Sequence, residues 1–428
     1  MDMVQAASIA QNASVTLSCE KQDKKNLALR LIAEKLQENR DEIIRRNQLD
    51  LERSKNENLP APLLKRLKFD DKKLAEVVEG IHSLINLPEP VGKKLMATEL
   101  DEGLKLYKVS CPIGVIGIIF ESRPDALVQI STLCLKSGNA ALLKGGSEAR
   151  ETNRALADVI KMATTEAGIH PGWLHLLETR EDVSEMLKLD EYIDLIIPRG
   201  SNDFVRYIMD NSRIPVLGHA DGICHCYVDD EADINMAVDV VNDSKVQYVA
   251  VCNATETLLV HRDIADAYLP ALKRKTDESN VQIKGCDRTR AIIPVEPATE
   301  KDWKTEYLDY ILSVKVVDSL DEAIEHINTY GSGHTDSIIT KNQAHAQRFM
   351  NMVDSGNVFW NCSTRFSDGF KYGFGAEVGI STNKIHARGP MGLEGLLIYK
   401  FKLIGNGHIV SDYAANRRKF SHKPLTEE

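Results

Sequence analysis

Cys252 lies among small and polar residues directly before an apolar run, in the segment Val251-Cys252-Asn253-Ala254-Thr255-Glu256-Thr257-Leu258-Leu259-Val260. A thiol at the end of an element can attack an acyl carbon when nearby backbone N–H groups favour the thiolate and the developing oxyanion. Most free cysteines are instead buried and act as small hydrophobic residues. The chain has eight cysteines, so any single one of them is by default a core residue. Cys252 is therefore a candidate nucleophile, to be weighed against a role in the core.

Two strand-to-helix junctions could bind phosphate. Lys144-Gly145-Gly146-Ser147 ends the apolar run AALLK, and Pro198-Arg199-Gly200-Ser201-Asn202 follows IDLII. Each combines glycine, a cation and the free N–H groups of a helix start, which suit a phosphate group. Either one alone could be a simple N-cap and turn, but two in one sheet favour nucleotide binding. The GxGxxG fingerprint is absent after the first strand, where Gly114 and Gly117 make only a partial match.

Three further clusters are less informative. Cys224-His225-Cys226 could suggest a metal, but strand alternation leaves at most two thiols on one face, so core residues are favoured. His326 and His334 are either helix-end residues or active-site neighbours. The Gly-rich run 365–375, with His386-Ala387-Arg388-Gly389 after it, either closes over an anionic substrate or is solvated surface.

The elements that must position these residues are helices first and then alternating strands and helices. Leu29, Ile32, Ala33 and Leu36 follow a helical spacing, and so do Leu74, Val77, Val78, Ile81 and Ile85 before Pro88 and Pro90. From 113 to 217 the runs IGVIGIIF, AALLK, LHLLE, IDLII and IPVL alternate with helical stretches near 125–136, 149–167, 182–189 and 202–210. This pattern predicts a parallel sheet that binds ligands at the carboxyl ends of its strands.

A second α/β set predicts a second lobe, with a cleft between the two. Its strands are ETLLV at 256–260, LSVKVV at 312–317, SIIT at 337–340 and NVFW at 357–360. Its helices lie near 232–245, 320–328 and 342–353.

Composition narrows the function. The chain has 428 residues, 43% hydrophobic and 27% charged, with a net charge of -10, which disfavours nucleic-acid and anionic-membrane partners. No basic segment followed by an apolar core opens the sequence, and the apolar runs are too short to span a bilayer. The scattered cysteines suit reduced thiols in a cytosol-like compartment, so we expect a cytoplasmic protein, with a mitochondrial location as the alternative.

Several long segments together resemble the gamma-glutamyl phosphate reductase family, a branch of the aldehyde dehydrogenase superfamily. The segments that carry this resemblance are IPRGS (197–201), IPVLGHADGICHCYVD (214–229), CNATETLLVH (252–261), VDSLDEAIEHINTYGSGHTDSI (317–338) and FGAEVGISTNKIHARGP (374–390). The family catalyses the reducing step of proline biosynthesis. The resemblance covers nearly the whole chain, and no amino-acid kinase region precedes it, as one does in fused pyrroline-5-carboxylate synthetases.

The resemblance implies an aldehyde-dehydrogenase-like α/β fold with three parts. A nucleotide-binding domain would comprise residues 1–95 and 111–218, and a catalytic domain residues 219–395. A β flap, residues 96–110 and 396–428, would pair subunits into a homodimer or higher homo-oligomer.

Site roles also follow from the resemblance, residue by residue. Cys252 matches the superfamily nucleophile, and Lys144 matches the lysine that contacts the adenosine ribose. Gly200 and Ser201 match the Gly-Ser pair at the pyrophosphate helix. Glu306 matches the glutamate that holds the nicotinamide ribose.

The cofactor prediction comes from a departure at Ser147. NAD-preferring aldehyde dehydrogenases have a glutamate three residues after the lysine, where it binds ribose hydroxyls and repels a 2′-phosphate. Here that position is Ser147, so we predict NADPH over NADH, although the adjacent Glu148 works against this prediction.

The mechanism prediction comes from a second departure. Hydrolytic relatives have a Glu-Leu-Gly-Gly segment whose glutamate activates water, and the matching stretch here is Val216-Leu217-Gly218-His219. Losing that general base protects a Cys252 thioester from hydrolysis. We therefore expect thiolate attack on L-glutamyl 5-phosphate, release of phosphate and reduction to L-glutamate 5-semialdehyde.

The remaining site predictions concern anions. Ser122 takes the place of the superfamily's oxyanion-hole asparagine, with the Cys252 N–H as the other donor. Arg123 could hold the phosphate or the substrate carboxylate, or form only a surface ion pair. His219, Arg365 and Arg388 are further anion-binding candidates, and no metal is expected.

Two alternatives stay open. The chain could be another acylating reductase, acting on a CoA thioester or a different acyl phosphate, or a non-catalytic paralogue that keeps the fold. A glutamate 5-kinase that delivers the labile acyl phosphate is a candidate partner.

Overall fold

The computed structural model describes residues 2–177, 181–219 and 221–425. The chain divides into two compact units, Met1–Leu217 with Met391–Glu428, and Gly218–Pro390. Among the described residues, no helix is long and apolar enough to cross a membrane.

The first unit begins with helices, as predicted, and five of them precede the first strand. They are α1 Met3–Leu17, α2 Gln22–Glu38, α3 Arg40–Asn56, α4 Ala61–Leu67 and α5 Asp71–Asn86. The apolar face of α2 is buried, and α5 ends before Pro88. On α5, Leu84 is buried and Ile85 only half-buried, so the buried face ends one residue earlier than predicted.

A four-stranded parallel sheet follows in the same unit, in the order β5-β4-β3-β6. Its strands are β3 Val115–Phe120, β4 Ala140–Gly145, β5 Leu174–Leu177 and β6 Leu195–Arg199. The helices between and after them are α6 Pro124–Ser137, α7 Arg150–Glu166, α8 Glu181–Met186 and α9 Asn202–Asn211. Strands β3 and β4 are buried throughout, which explains their continuous apolar sequences.

The run IPVL at 214–217 is not a strand, contrary to the sequence prediction. Only Val216 forms an isolated parallel bridge, to Ile196. Pro215 has no N–H to donate to a neighbouring strand, which disfavours a regular ladder here.

An antiparallel sheet in the first unit has the order β16-β2-β1-β17. Its strands are β1 Lys94–Asp101, β2 Leu104–Pro112, β16 Leu397–Ile404 and β17 Lys423–Pro424, and a short helix, α15 Val410–Ala414, lies between the last two. Strand β16 is at one edge and is exposed from its second residue onward.

The second unit contains a seven-stranded parallel sheet, in the order β10-β9-β11-β8-β7-β12-β13. The strands are β7 Cys224–Val228, β8 Thr255–His261, β9 Gln282–Gly285, β10 Glu296–Pro297, β11 Ile311–Val317, β12 Thr335–Ile339 and β13 Asn357–Trp360. The helices are α10 Ile234–Val246, α11 Arg262–Glu278, α12 Asp287–Ile292, α13 Leu320–Tyr330 and α14 Gln343–Met352. Two short strands, β14 Gly379–Ser381 and β15 Gly389–Met391, pair separately.

Helix α11 is absent from the sequence prediction. It contains Pro270, a residue that usually breaks a helix because it lacks an N–H and crowds the preceding turn. The buried residues Ile264, Tyr268 and Leu272 pack into the core with the sheet and compensate for that cost.

Candidate active site

Two predicted cofactor segments and the predicted oxyanion-hole residue meet at one edge of the first sheet. Strand β3 lies between β4 and β6, and all three are parallel, so their carboxyl ends share an edge. Lys144 lies at the end of β4, Ser122 follows β3, and Gly200 with Ser201 follows β6. The two junctions lie in one sheet, as the sequence predicted, on either side of strand β3.

The β6–α9 junction binds an anion within the protein itself. The Ser201 N–H donates to Glu121 Oε2 at 2.9 Å, directly before helix α9. A Cβ at Gly200 would lie 2.5 Å from the same oxygen, so only glycine allows this approach. The carboxylate shows that the junction can accept a negatively charged oxygen, as a pyrophosphate site requires.

The β4–α7 junction contains the predicted lysine and a small pocket. Lys144 is buried, and its Nζ donates to the Gly145 carbonyl oxygen at 2.6 Å. Ser147 and Arg150 line a shallow pocket with Asn153. Asn153 is buried, and its Oδ1 has no hydrogen-bond partner among the described residues.

Ser122 has a partner that the sequence did not indicate. Its N–H and its hydroxyl both donate to Glu148 Oε1, at 2.6 and 2.7 Å. Its φ of 44° lies in the left-handed region, which is costly for a residue with a side chain. A role as oxyanion donor would require Glu148 to release this hydroxyl. Arg123, next in sequence, is partly exposed and lies 3.5 Å from the carboxylate of Asp125.

Cys252 lies in the turn that leads into β8, and the structure leaves its thiol partly accessible. A Cβ at Gly222 would come within 2.1 Å of the Cys252 carbonyl oxygen, so the two backbones meet too closely for any side chain there. The Cys224 thiol donates to the same carbonyl oxygen at 3.2 Å. These contacts hold the turn on the end of the neighbouring strand β7.

Two imidazoles lie beside this thiol. One ligand atom each from Cys252, His219 and His334 lies within 4.8 Å of the others, and the two rings meet edge to face at 4.9 Å between centroids. His219 Nδ1 is 2.9 Å from the Ile380 carbonyl oxygen. His334 is fully buried, and burial, together with His219, lowers its pKa well below the usual range, so it is neutral at pH 7.

His334 is the site residue that the sequence prediction left undecided. His334, Cys224 and Cys252 all lie at the amino ends of strands. His334 directly precedes β12, Cys224 begins β7, and Cys252 comes shortly before β8. Strands β8, β7 and β12 are neighbours in that order, so residues at their amino ends converge. The thiol therefore lies at the amino edge of its sheet, whereas the predicted cofactor segments lie at the carboxyl edge of theirs.

The two arginines predicted in this unit differ in their surroundings. Arg365 is half-buried, and burial lowers the pKa of its guanidinium. The charges of Cys252 and of nearby acidic groups act in the opposite direction and raise this pKa. The Arg365 Nε donates to the Gln247 side chain at 2.9 Å. Arg388 instead binds Asp354, through Nη1 to a carboxylate oxygen and Nη2 to the carbonyl oxygen, both at 2.9 Å. Arg365 is therefore a cation within electrostatic range of the thiol, whereas Arg388 ties its loop to the segment after α14.

Glu306 lies in the loop before β11 and is half-buried. Burial is the main reason that the pKa of the neighbouring Glu256 is raised, and the charge of Glu306 adds to it. This places Glu306 near the buried pair formed by Lys245 and Glu256. Its predicted contact with a nicotinamide ribose stays a prediction.

The Cys224-His225-Cys226 run is buried, as expected of core residues. Burial raises the pKa of both thiols, and His225 Nδ1 is 2.9 Å from Asp336. His326 is also buried, on helix α13 against Trp303, and burial lowers its pKa to about 2.

Comparison with known proteins identifies the family. The model of the aldehyde dehydrogenase family matches residues 1–309 and 295–380. A gamma-glutamyl phosphate reductase from Acetivibrio thermocellus is 68% identical over 428 residues, covering 100% of this chain and 99% of that protein. The chain belongs to the gamma-glutamyl phosphate reductase family.

Solved structures agree with this family and with the aldehyde dehydrogenase fold. The crystal structure of the gamma-glutamyl phosphate reductase from Thermotoga maritima has a TM-score of 0.93 and 42% identity, covering 96% of this chain and 100% of that one. The glyceraldehyde-3-phosphate dehydrogenase of Methanocaldococcus jannaschii, complexed with NADP, has a TM-score of 0.63 at 16% identity over 94% of both chains, a likeness of fold alone. The predicted resemblance and fold class are confirmed.

Proposed function

We propose that this chain, an oxidoreductase of the gamma-glutamyl phosphate reductase family, reduces L-glutamyl 5-phosphate to L-glutamate 5-semialdehyde in proline biosynthesis, with release of phosphate. The observation that carries the proposal is the Cys252 thiol, placed at a strand end beside two imidazoles and a half-buried arginine. Full-length identity to named gamma-glutamyl phosphate reductases supports the substrate.

The first step is attack by the Cys252 sulfur on the acyl carbon. The thiol proton passes to His219, whose Nδ1 donates to the Ile380 carbonyl oxygen and whose Nε2 can act as the base. His334 is the poorer acceptor, because burial holds its pKa well below the usual range. The C–S bond forms as the acyl C–O bond to phosphate breaks, leaving a thioester on Cys252 and free inorganic phosphate. Arg365 is the proposed partner of the departing phosphate, because its guanidinium is half-buried and within range of the sulfur.

The residues at the first sheet suit a nicotinamide dinucleotide. The Ser201 N–H already binds a carboxylate oxygen, and Gly200 leaves room for it where a side chain would clash. Lys144 and the pocket beside Ser147 would hold the adenosine half, and Glu306 the nicotinamide ribose. The bound cofactor supplies the hydride that reduces the thioester.

The chain itself protects the thioester from water. Val216, where hydrolytic relatives have the water-activating glutamate, is 8% exposed and has no group that could act as a base. After reduction, the hemithioacetal oxygen reforms a carbonyl group, the C–S bond breaks, and Cys252 returns to the thiolate.

The proposed function is tested most directly in reverse. Glutamate 5-semialdehyde and NADP⁺ should give NADPH at a rate that depends on added inorganic phosphate. Reduction of NADP⁺ that depends on CoA instead would identify a CoA-acylating reductase. Cofactor binding without turnover under either condition would identify a non-catalytic paralogue.

We propose NADPH as the physiological reductant. Ser147 leaves the position three residues after Lys144 uncharged, and the Glu148 carboxylate is held by the Ser122 N–H and hydroxyl. Changing Ser147→Glu should lower kcat/KM for NADPH at least about tenfold, because a carboxylate beside a 2′-phosphate places like charges together.

Steady-state kinetics with NADPH and NADH measure this effect, and Ser147→Ala is the matched control. The alanine variant should keep the NADPH preference to within a few-fold. An unchanged preference in Ser147→Glu would place the 2′-phosphate elsewhere.

A homodimer or higher homo-oligomer is the proposed assembly. Edge strand β16 exposes Ile398, Tyr399, Phe401, Leu403 and Ile404 at 45% to 59%. An apolar edge strand of this kind usually pairs or aggregates unless it is covered. Light scattering on the full chain should return a multimeric mass, and a monomeric mass would refute the assembly.

We also propose a cytoplasmic location. All eight cysteines lie in the described ranges and are free thiols, as a reducing compartment favours. Separation of the native protein on a non-reducing gel, after alkylation in intact cells, tests this. Docking of a glutamate 5-kinase stays a prediction.

A further inference from the structure

The cluster of Cys252, His219 and His334 contains more ligating groups than a thiol nucleophile needs. One ligand atom from each side chain lies within 4.8 Å of the other two. All three belong to the unit Gly218–Pro390. In a tetrahedral site with Zn–N and Zn–S bonds of ordinary length, two ligand atoms are ~3.3 to 3.6 Å apart. The three side chains would therefore have to move only slightly closer together to bind one ion.

Both imidazoles present ligand nitrogens in the required form. His219 Nδ1 is 2.9 Å from the Ile380 carbonyl oxygen, so Nδ1 carries the proton and Nε2 the lone pair. Such a hydrogen bond to a carbonyl oxygen is the usual orienting contact behind a metal-bound histidine. His334 is fully buried, and its Nε2 has no hydrogen-bond partner among the described residues. An unpartnered buried nitrogen is costly and is relieved by a ligand.

The donor set selects the kind of metal. One thiolate and two imidazoles suit Zn²⁺ and other thiophilic divalent ions, whereas Mg²⁺ and Ca²⁺ prefer oxygen ligands. Two other clusters of the described residues, Asp229 with Asp230 and His345, and Asp230 with His261 and Asp263, include exposed carboxylates and no thiol. In the first of these, Asp229 already accepts from Tyr227 and Thr340.

We propose that Cys252, His219 and His334 form an inhibitory binding site for Zn²⁺ or a similar thiophilic cation. Binding replaces the thiol proton with a metal–sulfur bond and releases that proton. The metal withdraws electron density from the sulfur and occupies space beside it that an acyl carbon must enter, so metal and substrate compete for the thiolate. The inhibition rests on the proposed function, but the binding does not.

The test is a Co²⁺ titration of the full-length protein, freed of any histidine tag and followed by absorption. One equivalent should produce a thiolate-to-cobalt charge-transfer band and the visible bands of a tetrahedral site, and Zn²⁺ should displace it. C252S should abolish the charge-transfer band, and H219A should weaken binding at least about tenfold. His334 is buried, and its replacement could unfold the protein. H219A is therefore the variant that tests whether an imidazole binds the metal.

Matched controls separate this site from other thiols and imidazoles. C362S removes a thiol elsewhere in the same unit, and H345A removes the imidazole of the carboxylate cluster. Both should bind Co²⁺ as the natural chain does. A charge-transfer band that persists in C252S, or the lack of saturable 1:1 binding, would overturn the proposal.

Enzyme assays then separate the two proposals. If Co²⁺ binds as described and Zn²⁺ inhibits reversibly with a chelator, both stand. If Co²⁺ binds but the metal-free enzyme shows no phosphate-dependent turnover, the reductase proposal fails and the binding site stands. If turnover occurs and Zn²⁺ neither binds nor inhibits, the metal site alone fails.

Discussion

Replacing Cys252 with alanine should lower kcat/KM for the reduction by ~10⁴-fold or more, because the covalent intermediate is lost with the sulfur. The nearest thiol cannot take its place. Cys224 is fully buried, burial raises its pKa well above the usual range, and its Sγ is bound to the Cys252 carbonyl oxygen. The variant should keep its cofactor affinity, because Lys144 and Ser201 are unchanged.

Three measurements check this outcome. Steady-state kinetics give the loss of activity, quenching of protein fluorescence gives the cofactor affinity, and intact-protein mass spectrometry after a single turnover reports the glutamyl adduct. C362S, with a cysteine of the same unit changed, should keep both activity and adduct. An adduct that forms equally in C252A would assign the nucleophile to another residue.

Changing Lys245→Met should lower the free energy of unfolding by about 3 to 5 kcal/mol, because it leaves a buried carboxylate without its partner. Lys245 Nζ is 2.6 Å from Glu256 Oε2, with side chains 1% and 0% exposed. Burial lowers the pKa of Lys245 and raises that of Glu256, against the attraction between the two charges. The pair joins helix α10 to strand β8 just after the Cys252 turn.

The effect should depend on pH in a defined direction. Burial raises the folded-state pKa of Glu256, so in K245M this carboxylate becomes protonated as the pH falls. Protonation removes the buried charge and with it most of its free-energy cost. The loss of stability should therefore be larger at about pH 8 than at about pH 6. Urea unfolding at both pH values measures it.

Two variants serve as controls. K245M/E256L replaces the pair with apolar groups and should recover most of the loss. K341M removes an exposed partner, 2.9 Å from Asp233 with side chains 64% and 41% exposed, and should change stability by less than about 1 kcal/mol. Equal losses in K245M and K341M would mean that burial of the pair has no special cost.

Sequence patterns predicted most of the fold because local preferences and burial agreed. Helices α2 and α5 bury the faces that their spacing indicates, and strands β3 and β4 are as buried as their apolar runs imply. Two of the failures came where one residue opposes its neighbours. Pro215 prevents a strand in an apolar run, and Pro270 lies inside a helix that tertiary packing stabilises.

The site divides in the same way. The sequence by itself determined the thiol before β8 and the glycine-containing junctions after β4 and β6, because each depends on residues adjacent in the chain. The lack of a general base at Val216 is what the resemblance to hydrolytic aldehyde dehydrogenases implies. Only the tertiary structure decided what surrounds them. It placed His334 beside Cys252, Glu148 on Ser122 and Arg388 on Asp354, through strand order and packing between distant segments. Cys252 is recognisable from its own segment, but the imidazoles of His219 and His334 lie beside it only when β8, β7 and β12 pair.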